Sequence, residues 1–190
     1  MKLWGFLLVI ERSCSVASAA DGQALANSLH IMMDLASLTV GAAINIFPST
    51  GDRFLLNKDV VGGFELITTA AENEVLILSQ GESVLADESV EMDVCENYSQ
   101  FVEVQLALIT ILINKQDTLA QATGDATVNT ALLELDERLG ECSAAVGALA
   151  TSMAPLVPGC GTTVVEDEDD YQEALTELRG VLLDMQSGTE

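Results

Sequence analysis

Apolar residues recur every three or four positions along five stretches of this 190-residue chain, separated by breaks rich in Gly, Pro and Ser. The densest stretch is Phe101–Ile113, FVEVQLALITILI, inside a longer helical segment. On a helix its apolar side chains make two adjacent stripes. Val94, Tyr98, Phe101, Val104, Leu108 and Ile111 form one, and Val102, Leu106, Ile109 and Ile113 form the other. An ordinary surface helix buries a single stripe, so this one needs covering on two sides. At about 13 residues the run is too short for a bilayer, which takes roughly 20. Other helices, a bound lipid or a hydrophobic surface must cover it.

The neighbouring segments supply helices of the right kind. Asp21 can cap a first helix to about Ile46, with Leu25, Leu29, Met33, Ala36, Val40 and Phe47 at its apolar positions. His30 falls on its polar side with Asn27 and Asp34 and reads as a solvated histidine. Phe47-Pro48-Ser49-Thr50-Gly51 ends that helix. A second helix is expected over Arg53–Gln80, with a stripe of Val60, Phe64, Ile67, Ala71, Val75 and Leu78. Gly62-Gly63 inside it predicts a kink or a close helix–helix approach. After a linker at 81–86, Asp87 or Ser89 caps a third helix reaching about Ala122, and Thr123-Gly124-Asp125 then turns the chain back. The fourth helix, Ala126–Met153, steps by four and three through Val128, Leu132, Leu135, Leu139, Cys142, Val146, Leu149 and Met153, a bundle seam. Pro155, Pro158 and Gly159 end it, and a long loop leads through Glu166-Asp167-Glu168-Asp169-Asp170 into a fifth helix to about Gln186. Tyr171, Ala174, Leu178, Val181 and Met185 are its buried side, with the acidic run favouring the helix dipole from in front. The whole predicts an all-α antiparallel bundle of about five amphipathic helices. The segment 101–113 would be its central helix, with the fourth helix as partner.

Charge narrows the function. Thirty acidic residues against 7 basic ones give −23, which repels nucleic acid and anionic membranes. Residues 1–20 resemble a secretory signal peptide: Lys2, the apolar Leu3–Ile10, then Ala17-Ser18-Ala19-Ala20, although Glu11 and Arg12 interrupt the pattern. Its removal leaves a single domain, 21–190, with 5 basic and 29 acidic residues. The expected location is secreted, extracellular or cell wall. The terminal DMQSGTE offers no tail for a lipid anchor, and no transmembrane segment is expected. Asn97-Tyr98-Ser99 is a glycosylation sequon, with Asn97 on the polar face of the third helix.

Cys14 leaves with the leader, so Cys95, Cys142 and Cys160 allow one internal bridge. If the third and fourth helices are antiparallel about residues 123–125, Cys95 faces the end of the fourth helix, a few residues from Cys160. Cys142 would then sit roughly 15 Å away along the helix axis, beyond the ~7 Å reach of a disulfide. The spacing favours Cys95–Cys160, with Cys142 a core thiol.

Catalytic motifs are missing: the chain has no GxSxG, HExxH, Walker loop or GxGxxG, and a single His. The acidic run lacks calcium-loop spacing, and no CxxC supports zinc. No cofactor or metal is expected, and the chain reads as a non-enzyme.

The order of features resembles the fungal family of hydrophobic surface-binding protein A and the related cell wall galactomannoproteins. The residues that carry the likeness are the Phe47-Pro48-Ser49-Thr50 turn and Leu112-Ile113-Asn114-Lys115 with Leu119. Val128, Leu132, Leu135, Leu139, Val146 and Leu149 before Pro155 complete it. The likeness spans about 21–186, whereas the cysteines, the acidity and the EDEDD run lie outside the pattern. It implies a secreted helical protein that coats hydrophobic surfaces or holds lipid, and that helps recruit secreted hydrolases.

Two readings follow. In one, the helices present or enclose apolar surface for a hydrophobic surface or a fatty acyl chain, lined by Phe101, Leu108, Ile111 and Leu112 with Leu132, Leu135 and Leu139. Every one of these seven also reads as ordinary bundle core. In the other, the chain is a structural cell wall mannoprotein without a specific ligand.

Overall fold

The computed structural model describes residues 3–46, 59–80, 85, 87–122 and 126–187. Six α-helices pack against one another, with no strand among the described residues: α1 Leu3–Ile44, α2 Gly62–Leu78, α3 Glu88–Asn114, α4 Gln116–Ala122, α5 Ala126–Met153 and α6 Gly161–Ser187. The expected all-α bundle is what forms. The turns at 47–51 and 123–125, the start of the second helix at 53–58, the linker residues 81–84 and the side chain of Val128 lie outside the described residues.

Consecutive long helices alternate in direction, as their cross-contacts establish. Gly22 of α1 lies against Val90 at the start of α3, and Lys115 after α3 reaches the end of α1, so these two run parallel. Gly63 at the head of α2 meets Thr39 near the tail of α1, which makes that pair antiparallel. Cys142 meets Tyr171 and Asp136 meets Arg179, so α5 and α6 are antiparallel as well. Adjacency closes a ring in the order α1, α3, α6, α5, α2. Three parallel helices, α1, α3 and α6, form one layer; α2 and α5 run the other way as the second.

The sequence expectation for α3 needs correcting here. Its neighbours are α1 and α6, not α5, which stands across the core from it. Its two stripes serve that position: one helix lies on each flank, and Phe101, Leu108 and Leu112 point inward, fully buried. At its head Asp87 is the N-cap, its carboxylate accepting from the Ser89 N–H at 3.0 Å, which stabilises a helix start by about 1 kcal/mol. The expected run to Ala122 breaks at Lys115, where φ −88° and ψ 3° leave the helical region. From there the Lys115 ammonium donates to the Ile44 and Ile46 carbonyls at 2.9 and 2.8 Å. A cation thus satisfies orphan acceptors at the negative end of α1.

Three other boundaries differ from expectation. Asp21 does not cap α1, because the helix runs through it from Leu3; the preceding Leu- and Ala-rich residues are good helix formers. The glycine pair opens α2 instead of interrupting it, after a π-turn at 59–61. A Cβ on Gly63 would lie 2.1 Å from Thr39 Oγ1, so the close approach is real and Gly63 is what permits it. Finally, α6 starts at Gly161, so the acidic run sits inside the helix and not ahead of it. The connection is short because Pro155 fits a single 3-10 turn, Ala154–Leu156, and a Cβ on Gly161 would meet the Ala154 carbonyl at 2.5 Å.

The α5 boundaries match the expected helix, and Leu132, Leu135, Leu139, Cys142, Val146, Leu149 and Met153 are all buried. Cys95 and Cys160 are bonded, with Cα atoms 6.3 Å apart, and Cys142 is free and buried. The Leu85 N–H also donates to the Leu156 carbonyl at 3.0 Å, so the start of α3 and the α5–α6 turn are joined twice.

Candidate functional site

Of the seven residues nominated for a lipid site, Phe101, Leu108, Leu112, Leu132, Leu135 and Leu139 are fully buried in one core, and Ile111 is half-buried against it. The clefts found among the described residues are lined by other side chains. Packing within the bundle already covers these seven.

Apolar surface is presented elsewhere, on the outer side of α1 and α2. Gly63 brings these helices close enough to leave a groove of about 640 Å³ beside them, lined by Leu35, Leu38, Ala42 and Leu66 together with the carboxylates Asp59 and Glu65. Leu38 is 73% exposed and Leu66 55%. One turn or two further back on α1, Ile31 is 56% exposed on the same side as Leu38, seven residues away. Thr39 is buried between the helices, its hydroxyl donating back to the Leu35 carbonyl at 2.8 Å while both its oxygen and its methyl abut Gly63. Sequence reading missed Ile31, Leu38 and Leu66. The signal was present, since Ile31, Leu35 and Leu38 form a second four-and-three stripe on a helix already given one.

Charge is sparse along the α1 side of this face, whereas Asp59 and Glu65 enter its groove from the α2 side. From Gly22 to Ile46 the only ionisable side chains are His30 and Asp34, 4.0 Å apart and both exposed, as the solvated reading of His30 expects. The opposite side of the ring differs sharply. There α3 carries Glu88, Glu91, Asp93 and Glu96, next to the run Glu166–Asp170 on α6. Asn97 is half-buried on that side, and its amide donates to the Asp93 carbonyl at 2.7 Å.

The core holds further titratable groups. Cys142 Sγ lies 3.3 Å from Tyr171 Oη. Burial pushes the thiol up to about 11, against smaller opposing effects of bonds from Tyr171 and Thr68. Burial, then the neighbouring thiol, holds the Tyr171 phenol well above its usual value, and burial, Glu168 and Asp167 do the same for Tyr98. A protonated, sealed thiol is a poor nucleophile. Among the described residues no group of His, Cys, Asp and Glu is placed to hold a metal ion, and no helix is long and apolar enough to cross a membrane.

No protein-family model matches the chain, and no curated protein matches it significantly.

Proposed function

We propose that this is a secreted, non-enzymatic protein that lies down on uncharged apolar surfaces, or on neutral lipid, through the outer face of α1 and α2. One observation carries the reading: in a molecule of net charge −23, Leu38 and Leu66 stand exposed in a groove, with Ile31 exposed on the same side of α1, which from Gly22 onward has only His30 and Asp34 as ionisable side chains. Fully burying a side chain of this size contributes about 1.5–3 kcal/mol, so three together can hold a small protein on a surface. Along α1 from Gly22 onward the only ionisable groups are the His30–Asp34 pair at the edge of the stripe; on the α2 side Asp59 and Glu65 stay hydrated at the groove, Glu65 beside Arg138 at 3.9 Å. The resemblance to the fungal hydrophobic surface-binding proteins agrees with this role. Secretion is supported by the leader-like residues 1–20 and by a disulfide suited to an oxidising compartment. Because the seven core residues are occupied by packing, contact is assigned to the outer face and not to a cavity between α3 and α5.

Adsorption of the protein to a polyester or wax film, followed by quartz crystal microbalance, tests the reading. Retention on the film against buffer washing is expected, with little on a hydrophilic silica control. A protein that stays in solution over the film sinks it. Native mass spectrometry of the secreted protein separates the two forms of apolar binding, since an enclosed acyl chain would co-purify.

A further inference from the structure

At the disulfide end of the bundle a second groove, of about 570 Å³, lies between the start of α3 and the turn leading into α6. Leu85 and the Cys95–Cys160 bridge form its floor, and Met92, 66% exposed, stands at its lip. Glu88, Glu91 and Glu96 line it as well, with Gly159. We propose that this groove docks an amphipathic helical segment of a partner protein, with aliphatic side chains seated on Met92 and Leu85 and Lys or Arg side chains meeting the three glutamates.

Several features select that occupant. The glutamates are strung along one helix from 88 to 96, about 12 Å at 1.5 Å per residue, a spacing that suits separate ammonium or guanidinium groups. They do not converge: no metal-holding group exists among the described residues. Among the described residues no basic side chain pairs with them. Lys115 lies at the far end of α3, Arg138 pairs with Glu141 and Glu65, and Arg179 pairs with Asp136. For the same reason a second copy of this chain is a poor source of the cations, with only 7 Lys and Arg in all and these three engaged. The groove is also fixed in advance. Its walls are tied by the disulfide, by the Leu85–Leu156 hydrogen bond and by the Gly159 N–H donating to the Glu91 carboxylate. A preformed groove spends little ordering entropy on binding. Apolar contact gives residence, while the acidic surroundings speed encounter with a cationic partner.

The proposal is independent of the α1–α2 surface, which lies elsewhere on the ring. Its test uses the full chain and a fluorescent amphipathic peptide of Leu and Lys, read by anisotropy at physiological salt, with a Leu and Glu peptide as control. Wild-type protein should bind the first and not the second. Met92→Lys changes an exposed position and leaves the fold alone; it should weaken binding by about tenfold, one contact's worth. Glu88→Gln with Glu91→Gln and Glu96→Gln should weaken it by at least that much. A charge-matched set on exposed α6 positions, Asp169→Asn, Glu173→Gln and Glu177→Gln, should change it less than about threefold, as long-range screened charge does. Equal losses from the two triple sets, an unaffected Met92→Lys, absence of wild-type binding, or a groove filled by self-association in sedimentation would each overturn it.

Discussion

Helices α1 and α6 flank α3 on its two sides and run in the same direction, yet they show water opposite surfaces. Both meet the core with a regular stripe: Leu25, Leu29, Met32 and Ala36 on α1, and Tyr171, Leu175, Leu178 and Leu182 on α6, all buried. Outside the stripe, α6 carries eight acidic residues and one Arg, whereas α1 from Gly22 onward has only Asp34 and His30. The bundle demands the inner stripe and is indifferent to the outer one. The outer faces are therefore free to differ: α6 adds to the repulsion that keeps the molecule dispersed, and α1 stays low in charge. Exposed apolar residues occur on α6 too, Val165 and Leu183, but among carboxylates.

The sharpest way to break the comparison is to move charge onto the apolar face. Leu38→Glu with Leu66→Glu should lower adsorption to a polyester film by about a hundredfold or more, since two Leu contacts of roughly 1.5–3 kcal/mol each are lost. Circular dichroism should show the helices intact, because both positions are exposed. Val165→Glu with Leu183→Glu on α6 is the matched control, with at most a few-fold change. Equal losses would mean that adsorption follows overall hydropathy and not a face.

The acidic side is held covalently, and the α1–α2 side by packing with a few polar ties, Lys115 to the end of α1 and Arg138 to Glu65. Cys95→Ser with Cys160→Ser should cost about 2–4 kcal/mol in urea denaturation, because the bridge closes a chain separation of 65 residues. Loss of less than about 1 kcal/mol would show that the bundle ends do not need the bridge.

Alkali probes the same side. The only two tyrosines, Tyr98 and Tyr171, are both buried there, with Cys142 beside Tyr171. Burial raises all three groups, so the unfolded chain releases these protons at lower pH than the folded one. Stability is then complete below about pH 9, where an unfolded thiol begins to ionise, and falls as pH rises toward 11 and beyond. The thiol alone accounts for about 3 kcal/mol of that fall. Tyrosinate absorbance at 295 nm should rise together with loss of helix; an earlier rise, with helix intact, would contradict the sealed core.

Much of this was legible from spacing. Helix α5 and its seam follow directly from steps of four and three, and strong turn residues bound it. The Cys95–Cys160 pairing follows in the sequence from facing α3 against α5; those helices are not neighbours, and the bond forms because the α5–α6 turn returns to the start of α3. Periodicity states how much of a helix is covered, and not by which partner; the two stripes of α3 are met by α1 and α6, chosen by packing of the whole ring. Lys115 breaks α3 for a reason 69 residues away, at the Ile46 carbonyl, which no local pattern reports. The apolar face of α1 was readable as a second stripe. What hid it was the assumption that a helix with one buried stripe has spent its hydrophobic residues.

The smallest expected effect is also the most discriminating about charge. Asp169→Asn with Asp170→Asn alters exposed positions on α6, so stability should move by no more than about 0.5 kcal/mol. Its sign should be stabilising, because two members of a five-acid run stop repelling the rest, and the gain should fade in high salt as screening replaces it. Adsorption to an uncharged film should barely change, since α6 does not border the α1–α2 face in the ring. On vesicles containing anionic lipid the same variant should bind somewhat better than wild type, through reduced long-range repulsion. If instead the neutralised protein gains as much on the uncharged film as Leu38→Glu with Leu66→Glu loses, then net charge governs adsorption. In that case α1 is a bundle helix whose outer leucines merely happen to be exposed.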